Sequence, residues 1–424
     1  MTDAGAAFDA VGAAAGPAAR GSVARVGIAT AITAVCGYAV LYLAARKLEP
    51  AGFSVFGVFW GAFGLVTGAA NGLLQESTRE VRATLRHPPG PKPRDWGPHT
   101  RPMWVAAGVG LGAGIVIAGT SPLWSARVFA EARPLSVALL SLGLAGFCLH
   151  ATLLGMLAGT DRWSQYGSLM VTDAVIRVVV ASAAFALGWG LAGFLWATVA
   201  GALAWLLLLA ASSGARSAAG LRTAGKTSGF LRGAAHSIAA AGASAVLVMG
   251  FPVLLKATSG ELGAAGGVVI LAVTLTRAPL LVPMTAMQGN LIAYFVDHRS
   301  TRLRALLAPA AIVAALGGVG VVGAALVGPW LMRVAFGPEY RTSGVLLAWL
   351  TVAAVSIALL TLTGAATVAS ALHRAYSIGW VGATVAAALL LTLPLSLESR
   401  TVIALMCGPL VGIGVHLTAL ARAD

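Results

Sequence analysis

The chain has 424 residues, 58% of them hydrophobic and 10% charged, with a mean hydropathy of +0.88. Soluble domains carry about 25% charged residues, so these figures exclude a water-soluble globular protein and leave an integral membrane protein. The formal net charge of +14 fits loops beside anionic headgroups, and nucleic acid is not an expected partner.

The first 22 residues are rich in Ala and Gly and have no apolar core behind a basic start. They read as a flexible cytoplasmic tail, not as a cleavable signal peptide. About twelve apolar runs of roughly 20 residues follow, the length that crosses a hydrocarbon core. In the first half they cover 26–45, 53–74, 103–120, 135–159, 167–187 and 191–211. In the second half they cover 234–255, 264–294, 306–327, 344–368, 378–395 and 402–420. Spanning segments must satisfy their own backbone hydrogen bonds, and barrel strands would be about ten residues of alternating pattern, so these runs are helices. The expected fold is all-α, with six-helix bundles over 23–211 and 234–424 joined by a basic, Gly- and Ser-bearing cytoplasmic linker over 212–233.

Lys and Arg set the orientation. With the N-terminus inside, about eighteen of them fall on the inner side and about eight on the outer, the positive-inside bias, so both termini are expected in the cytoplasm. Arg outnumbers Lys about 24 to 4 in an Ala- and Gly-heavy chain, which points to a GC-rich bacterial genome and a plasma (inner) membrane location. Cys36, Cys148 and Cys407 lie inside apolar runs without paired spacing, so neither a disulfide framework nor a metal site is expected.

The chain repeats itself. "SPLWSARVFAEA" at 121–132 and "GPWLMRVAFGPEY" at 328–340 each lie between the third and fourth runs of a six-run set. Pro122 and Pro329, Arg127 and Arg333, Phe129 and Phe336, and Glu131 and Glu339 match at an offset of roughly 207. The inner loops "DRWSQY" at 161–166 and "ALHRAY" at 371–376 correspond as well. Six helices is an even number, so the halves enter the membrane in the same orientation. A pseudo-two-fold axis along the membrane normal should relate them. Two such bundles facing each other, rocking about a central cavity, are the architecture of a transporter.

"GPWLMRVAFGPEY", with "LYLAARKLEPAGFSVFGVFWGAFGLVTGAANGLLQESTREV" at 41–81 and "LLGMLAGTDRWSQYGSLMVTDAVIRVVVA" at 153–181, resembles the polysaccharide exporter branch of the superfamily that also holds multidrug/toxin extruders and lipid II flippases. The resemblance covers nearly the whole chain through short, degenerate motifs. It implies carriage of polyprenyl-(pyro)phosphate-linked oligosaccharide from inner to outer leaflet for cell-surface polysaccharide assembly. The implied partners are the lipid-linked glycan, the bilayer, and a polysaccharide polymerase or glycosyltransferases; no cofactor is implied. One departure is Asn71 before Gly72, where this branch often has an acid.

Charges inside the hydrocarbon are costly and face the bundle interior by default. Asp173 and Arg177, at i and i+4 in the fifth run, can pair on one helix face. They form either a lock between helices or a gating or ion-coupling pair. Arg277 lies mid-run in "LAVTLTRAPLLVP" with no acid within a turn. Its planar guanidinium suits phosphate oxygens, and the resemblance implies a basic cavity, so it is a substrate-binding candidate. The alternative is an ion pair with an acid of another helix, such as Asp173. Arg25, at the inner edge of the first run, is a further cavity candidate that positive-inside placement explains equally well. Asn71, Gln75, Gln288 and Asn290 end the second and eighth runs in matching positions. They would bond a sugar headgroup or glue helices together. His150 and His236 read as lone buried histidines, and Pro252, Pro279 and Pro283 as interruptions of the seventh and eighth helices.

A drug or organic cation extruder of the same fold is the competing function. Such a protein would want unpaired acids, of which the runs offer only Asp173. A membrane glycosyltransferase is disfavoured: Glu49 has no second acid beside it and the outer loops are short. No Walker motif is present, and "GVGVVG" at 318–323 lies inside an apolar run, not after a strand of a βαβ unit. A degenerate transporter acting as a scaffold is the remaining alternative.

Overall fold

The computed structural model describes residues 17–86, 99–298 and 302–423, with side chains described for all of these except 17–24, 285–286, 288–290 and 293. Helices dominate. The first, α1 (Pro17–Arg86), is two helices joined across a kink at Glu49, whose φ of 54° and ψ of 173° are non-helical. Pro50, next in line, has no N–H to donate and crowds the preceding turn, so the chain bends there. The helix begins inside the stretch expected as a tail, of which residues 1–16 lie outside those described.

Next come α2 (Pro102–Val128), α3 (Arg133–Gly159) and α4 (Trp163–Leu187). The sixth apolar run is broken into α5 (Gly190–Ala200), a 3₁₀ turn (Gly201–Leu203) and α6 (Ala204–Ala211). The stretch expected as a linker is ordered. It holds α7 (Ser213–Ala219), strand β2 (Thr223–Ala224), which pairs antiparallel with β1 (His99–Thr100), and the start of α8 (Thr227–Val248). The chain continues as α9 (Phe251–Ser259), α10 (Gly263–Asp297), α11 (Arg302–Leu326), α12 (Gly328–Phe336), α13 (Gly344–Ala369), α14 (His373–Leu390) and α15 (Leu397–Ala421).

Pro252 opens a new helix, as expected, but α10 runs unbroken through Pro279 and Pro283, correcting the expectation of an interruption there. Both prolines sit on the exposed side of α10, four residues apart, away from its packed face. Among the described residues, ten helical segments are long and apolar enough to cross a membrane. One of these, Arg25–Arg86, contains the first two expected runs. The eleventh run, 378–395, is not among them: its helix, α14, stops at Leu390, shortly before Pro394.

The chain forms two compact units. The first joins Ser22–Lys47 to Val58–Val253, and the second includes Leu48–Gly57 and Leu254–Asp424. In the first, Leu153, Leu157, Leu169, Ala204 and Leu208 make a buried core across α3, α4 and α6. Helix α8 belongs to this unit through a glycine stripe on α1. Gly61, Gly64, Gly68 and Gly72 meet Pro252, Met249, Ala245 and Ile238 in turn, and a Cβ added at Gly72 would fall on the backbone of Ser237 and Ile238. Small residues at helical spacing let two spanning backbones approach closely. Gly72→Ala is therefore expected to lower the thermal midpoint in detergent, at roughly 1–3 kcal/mol for overpacking. Gly112→Ala, where nothing lies within 4 Å of the added carbon, is expected to leave it unchanged.

In the second unit, Leu280 and Met284 of α10 pack with Val313, Ala354, Ala358, Leu362 and Leu420 from α11, α13 and α15. Gly379, Gly408 and Gly412 bring α14 and α15 into close contact, with His416 against Gly379.

Candidate functional site

The repeated sequence builds aromatic plugs. Phe129 is 1% exposed, with its ring centroid 6.0 Å from Phe59 and 5.8 Å from Trp124. Its counterpart Phe336 lies 6.1 Å from Tyr340, which is fully buried and meets Phe53 edge-on at 6.2 Å. The matched charges Arg127, Arg333, Glu131 and Glu339 are exposed. The inner loops also share a local geometry, because Asp161 (φ 55°) and Ala371 (φ 61°) both turn through left-handed backbone before the next helix starts. What the two copies preserve is thus packing and turn geometry.

Tyr340 lies in the loop between α12 and α13. Burial, then the nearby charges of Glu339 and Glu49, hold its phenol above the ordinary range. A raised folded pKa stabilises the fold below the unfolded value of about 10 and loses that contribution as pH climbs towards the folded value, at about 1.4 kcal/mol per pH unit. Thermal midpoints measured from pH 8 to 11 are expected to fall more steeply for the native chain than for Tyr340→Phe.

Asp173 and Arg177 are brought together within the first unit. Arg177 Nε and Nη2 both donate to Asp173 Oδ1 at 3.0 Å. The side chains are 13% and 15% exposed. Both groups pack against Gly201, where any Cβ would collide with Asp173 Oδ1. The ion pair thus sits on the 3₁₀ interruption of the sixth run, and the guanidinium covers the Phe63 ring at 5.4 Å. Short 3₁₀ stretches inside a helix often mark hinges.

Arg277 is 7% exposed. It falls on the stripe Val273, Arg277, Leu280 and Met284 of α10, the last two of which pack against α13. Gln288 and Asn290 follow on α10, and their side chains lie outside those described. Asn71 is half-buried and Gln75 exposed on α1. Arg25 is exposed and lines a groove of about 390 Å³ with Ile28, Trp163, Ser164, Ser168 and Thr172, between the start of α1 and α4. His150 is buried and stacks on Phe147 at 5.3 Å, whereas His236 is exposed, against expectation, because it faces outward near the start of α8.

Two buried polar groups escaped the sequence reading. Glu76 is 2% exposed. Arg79 grips it with two bonds, Nη2 to Oε1 at 2.6 Å and Nε to Oε2 at 3.0 Å, and also reaches Glu80 at 2.9 Å. Gly233 of α8 abuts the Glu76 carboxylate. The signal is the Glu–Arg spacing in "QESTRE", directly after the apolar run. His416 of α15 is fully buried, with Nδ1 3.0 Å from Thr363 Oγ1 on α13 and Nε2 3.3 Å from the Tyr376 carbonyl on α14. Nothing in its immediate sequence marks that three-helix junction.

No family profile matches the chain. It is 73% identical over 413 residues, 97% of this chain and 95% of the relative, to the uncharacterized protein Mb3654 of Mycobacterium bovis. It is 66% identical over 430 residues, 100% of this chain and 96% of the relative, to the uncharacterized protein Rv1510 of Mycobacterium tuberculosis. Among solved structures it is similar to an inward-facing multidrug resistance MATE family transporter of the MOP superfamily, with a TM-score of 0.70 at 16% identity over 92% of this chain and 95% of that one. It is also similar to a MOP superfamily transporter from Pyrococcus furiosus, whose reverse-polarity binding pocket suggests a different function. The TM-score there is 0.61 at 14% identity over 95% and 96%. At these identities the likeness is one of fold, that of a multi-pass MATE-like membrane protein.

Proposed function

The chain belongs to the family of mycobacterial proteins that includes Mb3654 and Rv1510, and from that premise we propose that it is a transporter of the bacterial plasma membrane. It carries a polyprenyl-(pyro)phosphate-linked oligosaccharide from the inner to the outer leaflet by alternating access. Both termini face the cytoplasm, and an ion gradient or consumption of the product outside drives the cycle.

The observation that carries the substrate class is the guanidinium of Arg277, 7% exposed in an apolar helix. In a low-dielectric interior a fixed positive charge attracts a phosphate several-fold more strongly than in water. The planar fork adds bidentate geometry to that attraction. Arg25, beside the hydroxyls of Ser164, Ser168 and Thr172, is a second place where a phosphate or sugar would be received.

The alternative is an antiporter of drugs or organic cations, favoured by the likeness to a multidrug resistance transporter. Against it, the buried carboxylate of Glu76 is closed by Arg79 and that of Asp173 by Arg177. A cation would have to break one of these pairs to be held. Lipid mass spectrometry of a deletion strain separates the two readings. Accumulation of one defined polyprenyl-linked glycan supports the flippase, whereas unchanged glycan lipids with a gain in drug sensitivity would replace it with the antiporter.

A further inference from the structure

A second pocket, of about 610 Å³, lies where α2 and α8 begin, on the side that the positive-inside bias assigns to the cytoplasm. His99, Arg101, Arg222 and Thr227 supply its polar lining, and among the described residues no carboxylate lines it. The two-stranded ribbon explains why these residues meet. Thr100 pairs with Thr223, the last pair of the ribbon, and Arg101 and Arg222 flank that pair, one on each chain segment, and line the same pocket. The ribbon is pinned, with Thr100 Oγ1 donating to the Gly225 carbonyl at 3.1 Å and the Ala224 N–H donating to Thr84 Oγ1 at 3.0 Å.

Two guanidinium groups lining one pocket repel. Among the described residues the ion pairs involve neither Arg101 nor Arg222. An anion between them relieves the repulsion. Away from the arginines the lining turns apolar through Val105 and Val109, and Trp104 and Leu231 stand 72% and 42% exposed. Tryptophan at the mouth of a spanning helix marks the headgroup level, and basic pockets between spanning helices on the cytoplasmic side hold anionic headgroups. A phosphate site continuous with an apolar, aromatic-edged wall fits a lipid and not a soluble sugar phosphate.

We propose that this pocket binds the phosphate headgroup of an anionic phospholipid between Arg101 and Arg222, with Trp104 against the glycerol and upper acyl region. The site does not depend on which cargo the protein carries.

The test is native mass spectrometry of the purified full chain titrated with phosphatidylglycerol and with phosphatidylcholine. Phosphatidylglycerol is expected to bind preferentially, and Arg101→Gln/Arg222→Gln to weaken it about 25-fold, at roughly fivefold per lost charge. Arg101→Lys/Arg222→Lys, which keeps both charges, is expected to retain most of the preference and guards against a folding defect. Brominated phosphatidylglycerol is expected to quench a tryptophan component that Trp104→Phe removes. Inorganic phosphate separates the sources: if it binds at the arginines while phosphatidylglycerol shows no preference, the ligand is a soluble anion and the lipid assignment is overturned. Equal binding of the two lipids, or undiminished phosphatidylglycerol binding in the double glutamine variant, overturns it as well.

Discussion

Arg277→Leu is expected to stop export while leaving a folded protein in the membrane, and cells carrying it should accumulate the same glycan lipid as a deletion strain. The stripe that carries Arg277 is otherwise apolar, with Val273, Leu280 and Met284, and the last two pack on α13. A leucine continues that stripe and removes a charge whose insertion costs about 2.5–3.5 kcal/mol on translocon scales. Removing one partner of a buried, hydrogen-bonded charge pair costs roughly 2–5 kcal/mol, so loss of a phosphate contact should slow transport by about 30-fold to several thousandfold. Arg277→Lys keeps the charge without the fork and is expected to fall between. The two readouts move apart for a substrate contact: transport collapses and the thermal midpoint in detergent holds. A large drop in midpoint would assign Arg277 to helix packing instead and remove the main support for an anionic cargo.

The apolar runs made the all-α membrane fold legible because insertion depends on local composition, which a sequence displays directly. The kink at Glu49 was half visible in Pro50, since a missing N–H is a local fact. The break at Gly201 was not visible: "WATVAGALAWLLLL" reads as one helix, and the 3₁₀ turn appears only where Asp173 and Arg177 of α4 press against it. Hydropathy likewise gave the seventh run without its partner. The glycines at 61, 64, 68 and 72 advertise a close helix contact, but which helix supplies Ile238 and Ala245 is a tertiary fact. Pro279 and Pro283 misled because proline in a membrane helix is tolerated when it sits on an unpacked side, and sidedness is not written in hydropathy. Of the site residues, the i, i+4 pairing of Asp173 and Arg177 was legible from helix geometry alone. Glu76 carries no such mark, because it follows the apolar run by two residues and the carboxylate is abutted by Gly233 of another helix.

The pair Asp173 and Arg177 offers the second large effect. Asp173→Leu alone leaves the Arg177 guanidinium, 15% exposed, beside Phe63 without its carboxylate, and Arg177→Met alone leaves the converse. Breaking a buried pair from one side costs roughly 3–5 kcal/mol, so each single variant should lose much of its thermal midpoint. Replacing both with apolar residues of similar volume is often neutral, so Asp173→Leu/Arg177→Met should recover most of the loss. Gly201 sharpens the expectation, because the space beside it is shaped for side chains already present, and the apolar replacements fill it without a new Cβ on the 3₁₀ turn. A lock between α4 and the broken sixth run needs only that packing, and the double variant is then expected to regain transport together with stability. A coupling pair needs the charges themselves. If the double variant recovered its midpoint yet stayed inactive under an imposed ion gradient, the charges would be part of the transport cycle, and the turn at Gly201–Leu203 would be the hinge they control.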